Sequence, residues 1–517
     1  MKISYGWLKE YINVKLEPTD VAKLLTDTGL EVEGIEQIES VKGGLKGIII
    51  GEVVEKTQHP NADRLNVTKV DIGQDELLQI VCGAPNVDKG QKVAVATIGA
   101  VLYSGQESFK IKKGKIRGEA SEGMICAEDE IGLGNSHDGI MVLDSSAKVG
   151  MEASKYFNLE SDFVFEIGLT PNRSDAMSHI GVAKDLRAAL NQNGDKHSLN
   201  IPEVTGIKNT QKENSFSVEI ENHDLCPRYA GVCISNIKVE SSPEWLKKRL
   251  ESIGLSTINN VVDITNFVLH ETGQPLHAFD LDKIKGNKII VRSLKENTKF
   301  TTLDEIERKL SDEDLIICDG ESNPMCLAGV FGGLQSGVSE KTTSIFLESA
   351  YFNPVSVRKS SKKHHLNTDA SFRFERGVDP NNVVYPVERA VDLLIEICGA
   401  QISSNLIDIY PNKIENATLD LDLAKVTKLI GQEIPEENIC TILNDLDIEV
   451  LDKKEGNLAI SIPTYRTDVT RQEDVVEEIL RIFGYNNIAI PSKTVEIHPE
   501  VVTFLSICSI SNFVPSR

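Results

Sequence analysis

The chain has 517 residues, 40% of them apolar, and 55 Lys and Arg against 78 Asp and Glu give a net charge of −23. Three or more domains with their own cores are expected at this length, and the acidic balance excludes a uniformly basic nucleic-acid coat, so any RNA site must be a local patch. The nine cysteines are scattered and never spaced Cys-x-x-Cys, which reads as reduced cytoplasmic thiols without a zinc site, and no run reaches the ~18 apolar residues of a membrane span.

Residues 1–39 open with a helical pattern around Trp7, Leu8 and Ile12. A second helix is expected after Pro18 and Thr19, through Val21, Leu24 and Leu25, stopping at Gly29. This piece is too small to fold alone. Its expected completion is 152–200, where a polar loop from Thr170 to Asp175 leads into an amphipathic helix, so 40–151 is an insertion. The insertion alternates short β-rich runs with turns (GIIIGEVVEK, LNVTKVDIG, LLQIVCG, KVAVATIGAVL), the pattern of a small barrel. Lys110, Lys112, Lys113, Lys115 and Arg117 place five cations in eight residues there. Such a rim suits phosphate contacts, which position a nucleic acid without reading its sequence, and a solvated charged hairpin accounts for the same run.

Residues 200–212 read as a linker and 213–405 as a large mixed α/β region. Residues 260–271 read as a helix ended by Thr272 and Gly273, and His277 follows the proline-stiffened turn Gln274-Pro275. A histidine so placed can form a pocket wall or serve the core. AGVFGG, residues 328–333, allows close backbone approach to a ligand or simply turns. Glu348 interrupts an apolar, strand-like run, and a carboxylate buried there must find a donor or shift its pKa. The run 364–380, HHLNTDASFRFERGVDP, has neither a helical nor a strand-like apolar period. With 259–280 and 327–352 it is expected to form one pocket.

Between 411 and 485 the pattern predicts helices at 421–430 and 436–446, hairpin strands at 448–451 and 458–462, and a last helix opened by a capping box, Thr470-Arg471-Gln472-Glu473. Asp474, Glu477 and Glu478 then share one side, with Asp468 just before. A hard cation such as Mg²⁺ would relieve their repulsion, while the helix dipole and a Glu477–Arg481 pair explain the same acids without one. Residues 486–517 read as the start of a further domain that breaks off. No nucleophile elbow, His-Glu-x-x-His, Walker A or Rossmann fingerprint occurs.

HPNADRL (59–65), CGAPNV (82–87), IRGEASEGMICAEDEIGLG (116–134), TPNRSDAMSHIGVA (170–183), NNVVDITN (259–266), QPLHAFD (274–280), AGVFGG, TDASFRFERGVDP (368–380), PTYRTDV (463–469) and EDVVEEILRIFGYNNI (473–488) follow one another in this order. In sequence and order they resemble the beta-subunit family of bacterial phenylalanyl-tRNA synthetases, from Met1 to about Ser492. The resemblance implies an α+β multidomain chain. An OB-like tRNA-binding barrel is inserted in an N-terminal α/β domain, followed by an α/β editing domain of the B3/B4 type and a small, winged-helix-like B5-type domain.

It further implies that the editing domain hydrolyses tyrosine wrongly attached to the tRNA for phenylalanine. Thr265, Asn266, His277, Gly332, Glu348, Thr368 and Ala370 would line its pocket, and Asp468, Asp474, Glu477 and Glu478 would be magnesium ligands. ATP and phenylalanine would bind an alpha-subunit partner in a two-alpha, two-beta complex. The family's catalytic-like and anticodon-binding domains are expected to be missing, which leaves a truncated, non-catalytic tRNA-binding scaffold as the alternative. Ser256-Thr257 departs from the family's usual Arg-Pro.

Overall fold

The computed structural model describes residues 1–489 apart from 40, 105–106, 135, 158, 160, 195 and 208–215; the expected start of a further domain lies almost wholly outside the described residues. Contacts divide the chain into two units. One comprises 1–22, 32–168 and 239–267, the other 23–31, 169–238 and the chain from 268 on.

In the first unit the strand Ser161–Gly168 lies between Lys2–Ser4 and Glu31–Glu39. Ser4 starts the helix Tyr5–Tyr11: its Oγ accepts from Trp7 N at 2.9 Å and donates to Asp162 Oδ2 at 2.5 Å. Trp7 is fully buried and stacks on Phe267 at 4.7 Å. The helix Pro18–Asp27 runs toward Gly29, whose φ of 90° only glycine adopts freely.

The insertion folds as a nearly closed antiparallel barrel. Its strands neighbour one another in the order Gly123–Ile125, Lys92–Thr97, Ile48–Gln58, Asn66–Asp71 and Leu78–Cys82. Glu122 N donates to Gln79 O at 2.8 Å and Val81 N to Ser121 Oγ at 3.2 Å, which brings the end strands together. Val53, Val70, Ile80, Val93, Val95 and Ile125 fill one core. A Cβ on Gly51 would stand 2.8 Å from Val70 and 2.9 Å from Val95, so the close strand approach requires glycine there.

The second unit carries a sheet in which Leu276–Asp280, Ile345–Tyr351 and Arg228–Ser235 pair antiparallel in that order. A second sheet runs Ser217–Ile220, Lys288–Ser293, Leu315–Asp319, Pro324–Leu327, Phe331–Gly332. One core joins them, including Tyr229, Phe279, Ile317, Met325, Phe346 and Phe352. The helix Val384–Cys398 buries Val387, Ala390, Val391 and Leu394, a helical spacing. It is closed by Gly399 in the left-handed conformation.

A smaller layer pairs the strands Ala417–Asp422, Asn457–Ile462 and Glu449–Lys454 and packs them with the helices Leu423–Ile430, Glu436–Asp445 and Gln472–Phe483 around Leu443, Leu458, Ile460, Val475 and Ile479. The expected helix at 421–430 begins two residues later. Leu419 and Leu421 alternate as a strand requires, and Asp422 Oδ1 caps the helix by accepting from Ala424 N at 2.9 Å. The chain is thus a mixed α/β multidomain protein. No described helix is long and apolar enough to cross a membrane.

Candidate active site

The strand Ile345–Tyr351 (IFLESAY) is buried except at Tyr351. In register, Glu348 lies directly between His277 on one neighbour and Gly231 on the other, so the three share one face. A Cβ on Gly231 would lie 2.3 Å from the Phe346 ring and 2.8 Å from Leu347 O, so no other residue fits beside the acid. Tyr229, two residues along the same strand, presents its hydroxyl to the same face and donates to Glu348 Oε2 at 2.7 Å. That is the one hydrogen bond Glu348 receives among the described residues. Burial pushes the Glu348 carboxyl up to about 8, against the lowering effect of Tyr229. Burial, and then the charge of Glu348, push the Tyr229 phenol and the thiols of Cys226 and Cys326 well above their ordinary values.

His277 stands edge-on to Phe279 at 4.4 Å. Burial takes its pKa down to about 4, so the ring is neutral near pH 7, and its buried Nε2 has no hydrogen-bond partner. A Cβ on Gly332 would come within 3.0 Å of His277 Cε1. Two residues before, Val330 O accepts from Thr368 Oγ1 at 2.8 Å. Thr368 in turn caps the helix Asp369–Phe374, its Oγ1 accepting from Ser371 N at 3.0 Å, and Ala370 packs on the domain core. The fold therefore gathers Glu348, His277 and Gly332 and links Thr368 to them through Val330, while Ala370 packs on the core of the same domain. Thr265 and Asn266 lie in the first unit, on the helix Asn260–Thr272, where Thr265 Oγ1 donates to Val262 O at 2.7 Å. Tyr229 and Gly231 escaped sequence reasoning because RYAGVCIS reads as an ordinary buried strand.

The rest of the run 364–380 serves other ends. His364 Nε2 meets Asp314 Oδ2 at 2.7 Å in the interior. Arg373 is buried, donates to Met177 O and Asp369 O, and joins Lys184, Gln274, Asp379, Tyr385 and Tyr465 around a cavity of about 380 Å³.

Three of the four acids of the expected magnesium site are held by arginines. Arg466 holds both oxygens of Asp468, at 3.1 and 3.0 Å. Glu478 is buried between Arg466 at 2.5 Å and Arg481 at 2.8 and 2.6 Å; burial would raise its carboxyl, but the two guanidiniums hold it well below the usual range. Asp474 is pinned by Arg471 and by the amides of Thr470 and Arg471, Arg471 above all lowering it to about 2. Glu477 is exposed. No group of three or more potential ligands assembles among the described residues. With Asp468, Asp474 and Glu478 each turned to an arginine, these acids do not fit a hard cation as arranged.

The expected capping box is displaced too. Asp474 closes the helix start, Thr470 Oγ1 donates to it at 3.3 Å, and Glu473 pairs with Lys425 at 2.6 Å. The reason is that the helix begins at Gln472, which puts Asp474 rather than Glu473 at the third helical position.

On the barrel, Lys110, Lys112, Lys113, Lys115 and Arg117 are all exposed. Lys113 pairs with Glu122 at 2.5 Å, while the other four have no carboxylate partner among the described residues. The hairpin is anchored from below: His59 Nε2 contacts Ile116 O at 3.0 Å and Asn61 Nδ2 donates to Arg117 O at 3.3 Å. Lys110, Lys112 and Lys115 line a groove of about 630 Å³ with residues 82–85.

Sequence profiles match in three places: the B3/4 domain over 225–399, the "Putative tRNA binding domain" over 48–152 and the tRNA synthetase B5 domain over 419–485. Among full-length relatives, the phenylalanine–tRNA ligase beta subunit of Bacteroides thetaiotaomicron is 52% identical over 492 residues, 95% of this chain and 60% of its own length. Those of Porphyromonas gingivalis and Fusobacterium nucleatum are 52% and 42% identical, over 94% and 98% of this chain. The chain spans about 60% of the length of these curated relatives. With half its residues identical over nearly all of its own length, and three domain profiles in order, the chain belongs to the phenylalanine–tRNA ligase beta-subunit family.

Proposed function

We propose that this chain binds the tRNA for phenylalanine and hydrolyses tyrosine wrongly attached to it. In this reading it works in the cytoplasm in a two-alpha, two-beta complex whose alpha subunit joins phenylalanine to the tRNA with ATP. The barrel, taken as OB-type, holds the tRNA backbone; 213–405 is the editing domain, 411–485 a winged-helix-like domain, and 1–39 with 152–200 the N-terminal domain.

The observation that carries this reading is Glu348: a buried carboxyl with a single donor, opposite a neutral histidine whose Nε2 is unpartnered. Phenylalanine and tyrosine differ by one hydroxyl. A site built to hydrogen-bond that hydroxyl rejects the analogue lacking it by ~10⁴ to 10⁵, because the buried polar group is otherwise left unpaired. Near pH 7 Glu348 holds its proton, so it meets a phenol without a buried charge. Neutral His277 offers Nε2 to orient water against the ester carbonyl, while Gly332 and Thr368 shape the wall beside it.

The test is hydrolysis of tyrosyl-tRNA for phenylalanine by the chain. Deacylation is expected, and Glu348→Ala should slow it by roughly two orders of magnitude; equal rates would end the proposal. For the barrel, replacing Lys112 and Lys115 by alanine should weaken tRNA binding and flatten its dependence on log salt by roughly 1.5 to 2. An unchanged slope would remove these lysines from the interface. A scaffold without hydrolysis would keep the salt dependence and lack deacylation.

A further inference from the structure

We propose that Tyr229 is a positioning residue of this site: its hydroxyl fixes Oε2 of Glu348, so that Oε1 alone is presented to the hydroxyl of the aminoacyl group. The inference rests on the editing reading and adds to it a residue that motif reasoning does not reach.

A glutamate side chain has three rotatable bonds and, with one oxygen untethered, could turn its carboxyl plane freely. Tyr229 cannot turn in the same way. It is completely buried and lies parallel to Phe346, with 6.5 Å between ring centres and 8° between planes, and the Phe346 ring is itself seated against Gly231, so neither ring has room to swing. Its hydroxyl donates to Oε2 at 2.7 Å, so the direction of the carboxyl is set by a rigid ring on the neighbouring strand. Packing alone does not account for the pair. Phenylalanine and an apolar residue would fill the same volume without desolvating a phenol and a carboxyl, and such replacements are often neutral or stabilising. A buried polar pair kept against that cost, next to an unpartnered histidine nitrogen, is placed for recognition. The ionisation of Glu348 responds to the same contact, since the bond from Tyr229 opposes the upward push of burial.

The experiment compares the full chain with Tyr229→Phe, Glu348→Gln and Glu348→Ala on tyrosyl- and phenylalanyl-tRNA for phenylalanine between pH 6 and 9. Tyr229→Phe is expected to lower kcat for the tyrosyl ester by about tenfold with little change in KM. It should narrow the tyrosyl-over-phenylalanyl preference and move the pH midpoint of hydrolysis upward. Glu348→Gln should abolish that midpoint. A role in packing alone would leave midpoint and preference where they are. Wild-type kinetics and pH profile in Tyr229→Phe, with Glu348→Ala inactive, overturn the inference and leave the editing reading standing. Full activity of Glu348→Ala overturns both. Should Tyr229→Phe fail to fold, 3-fluorotyrosine at 229 tests the same bond: a more acidic phenol at nearly equal volume must shift the midpoint downward, and an unmoved midpoint counts against the inference.

Discussion

Replacing Arg481 by alanine is expected to lower the unfolding free energy of the unit that contains it by about 3–5 kcal/mol, the cost of leaving buried charges without their partner. Arg481 donates to Asp185 at 3.0 and 3.1 Å and to Glu478 at 2.8 and 2.6 Å. Asp185 also meets Arg173 at 2.6 Å, Arg173 grips Asp175 through two bonds of 2.9 Å, and Glu478 passes to Arg466 and Asp468. Three guanidiniums and four carboxylates thus form one almost dry network, and deleting Arg481 takes one of two arginine partners from each of two buried acids, Asp185 and Glu478. Urea unfolding of wild type and Arg481→Ala measures the difference; a change below about 1 kcal/mol would show the network to be solvated. The pH dependence has a definite sign. Glu478 has a lowered folded-state pKa, so its contribution is present above the ordinary glutamate value and is lost as the pH falls below it.

Glu348 acts in the opposite direction. Its folded pKa stands at about 8, above the ordinary 4.5, so the folded state binds the extra proton between these values and stability falls as pH rises through them. At about 1.4 kcal/mol per pH unit, the penalty above pH 8 has an upper bound near ~5 kcal/mol. Glu348→Gln, which keeps the acceptor for Tyr229 and cannot ionise, should match wild type near pH 5 and unfold at higher temperature near pH 8.5. Parallel melting curves across that range would refute a raised pKa. His277 has its value lowered from 6.5 to about 4, so its contribution is lost as pH drops between those points. Between about pH 4.5 and 6.5 the two effects oppose and nearly cancel, and above that range the loss through Glu348 stands alone.

Much of this was legible in the sequence where the signal is local. The helices at Tyr5–Tyr11, Pro18–Asp27 and Asn260–Thr272, and the hairpin turning at Gly456, follow from apolar period and glycine placement. Glu348 stood out because it breaks an apolar strand. Its surroundings did not: that Gly231 and His277 flank it is a matter of register between strands far apart in sequence, which no spacing encodes. The acids around 468–478 show the same limit. Helical spacing brings them to one side, but Arg466 and Arg481 draw Glu478 inward, and Asp185, almost 300 residues away, completes the charge balance. The strand Ala417–Asp422 was lost to a neighbouring helical pattern that shares its leucines.

The protonated state of the thiols near Glu348 has a chemical consequence. Cys226 and Cys326 are buried and held as thiols by burial first and then by the neighbouring acid, whereas the species that alkylating agents and oxidants attack is the thiolate. They react when the core shared by the two sheets opens and are otherwise inert. The domain thus carries its own reporters of local unfolding, and their rate of modification follows the opening equilibrium of that core.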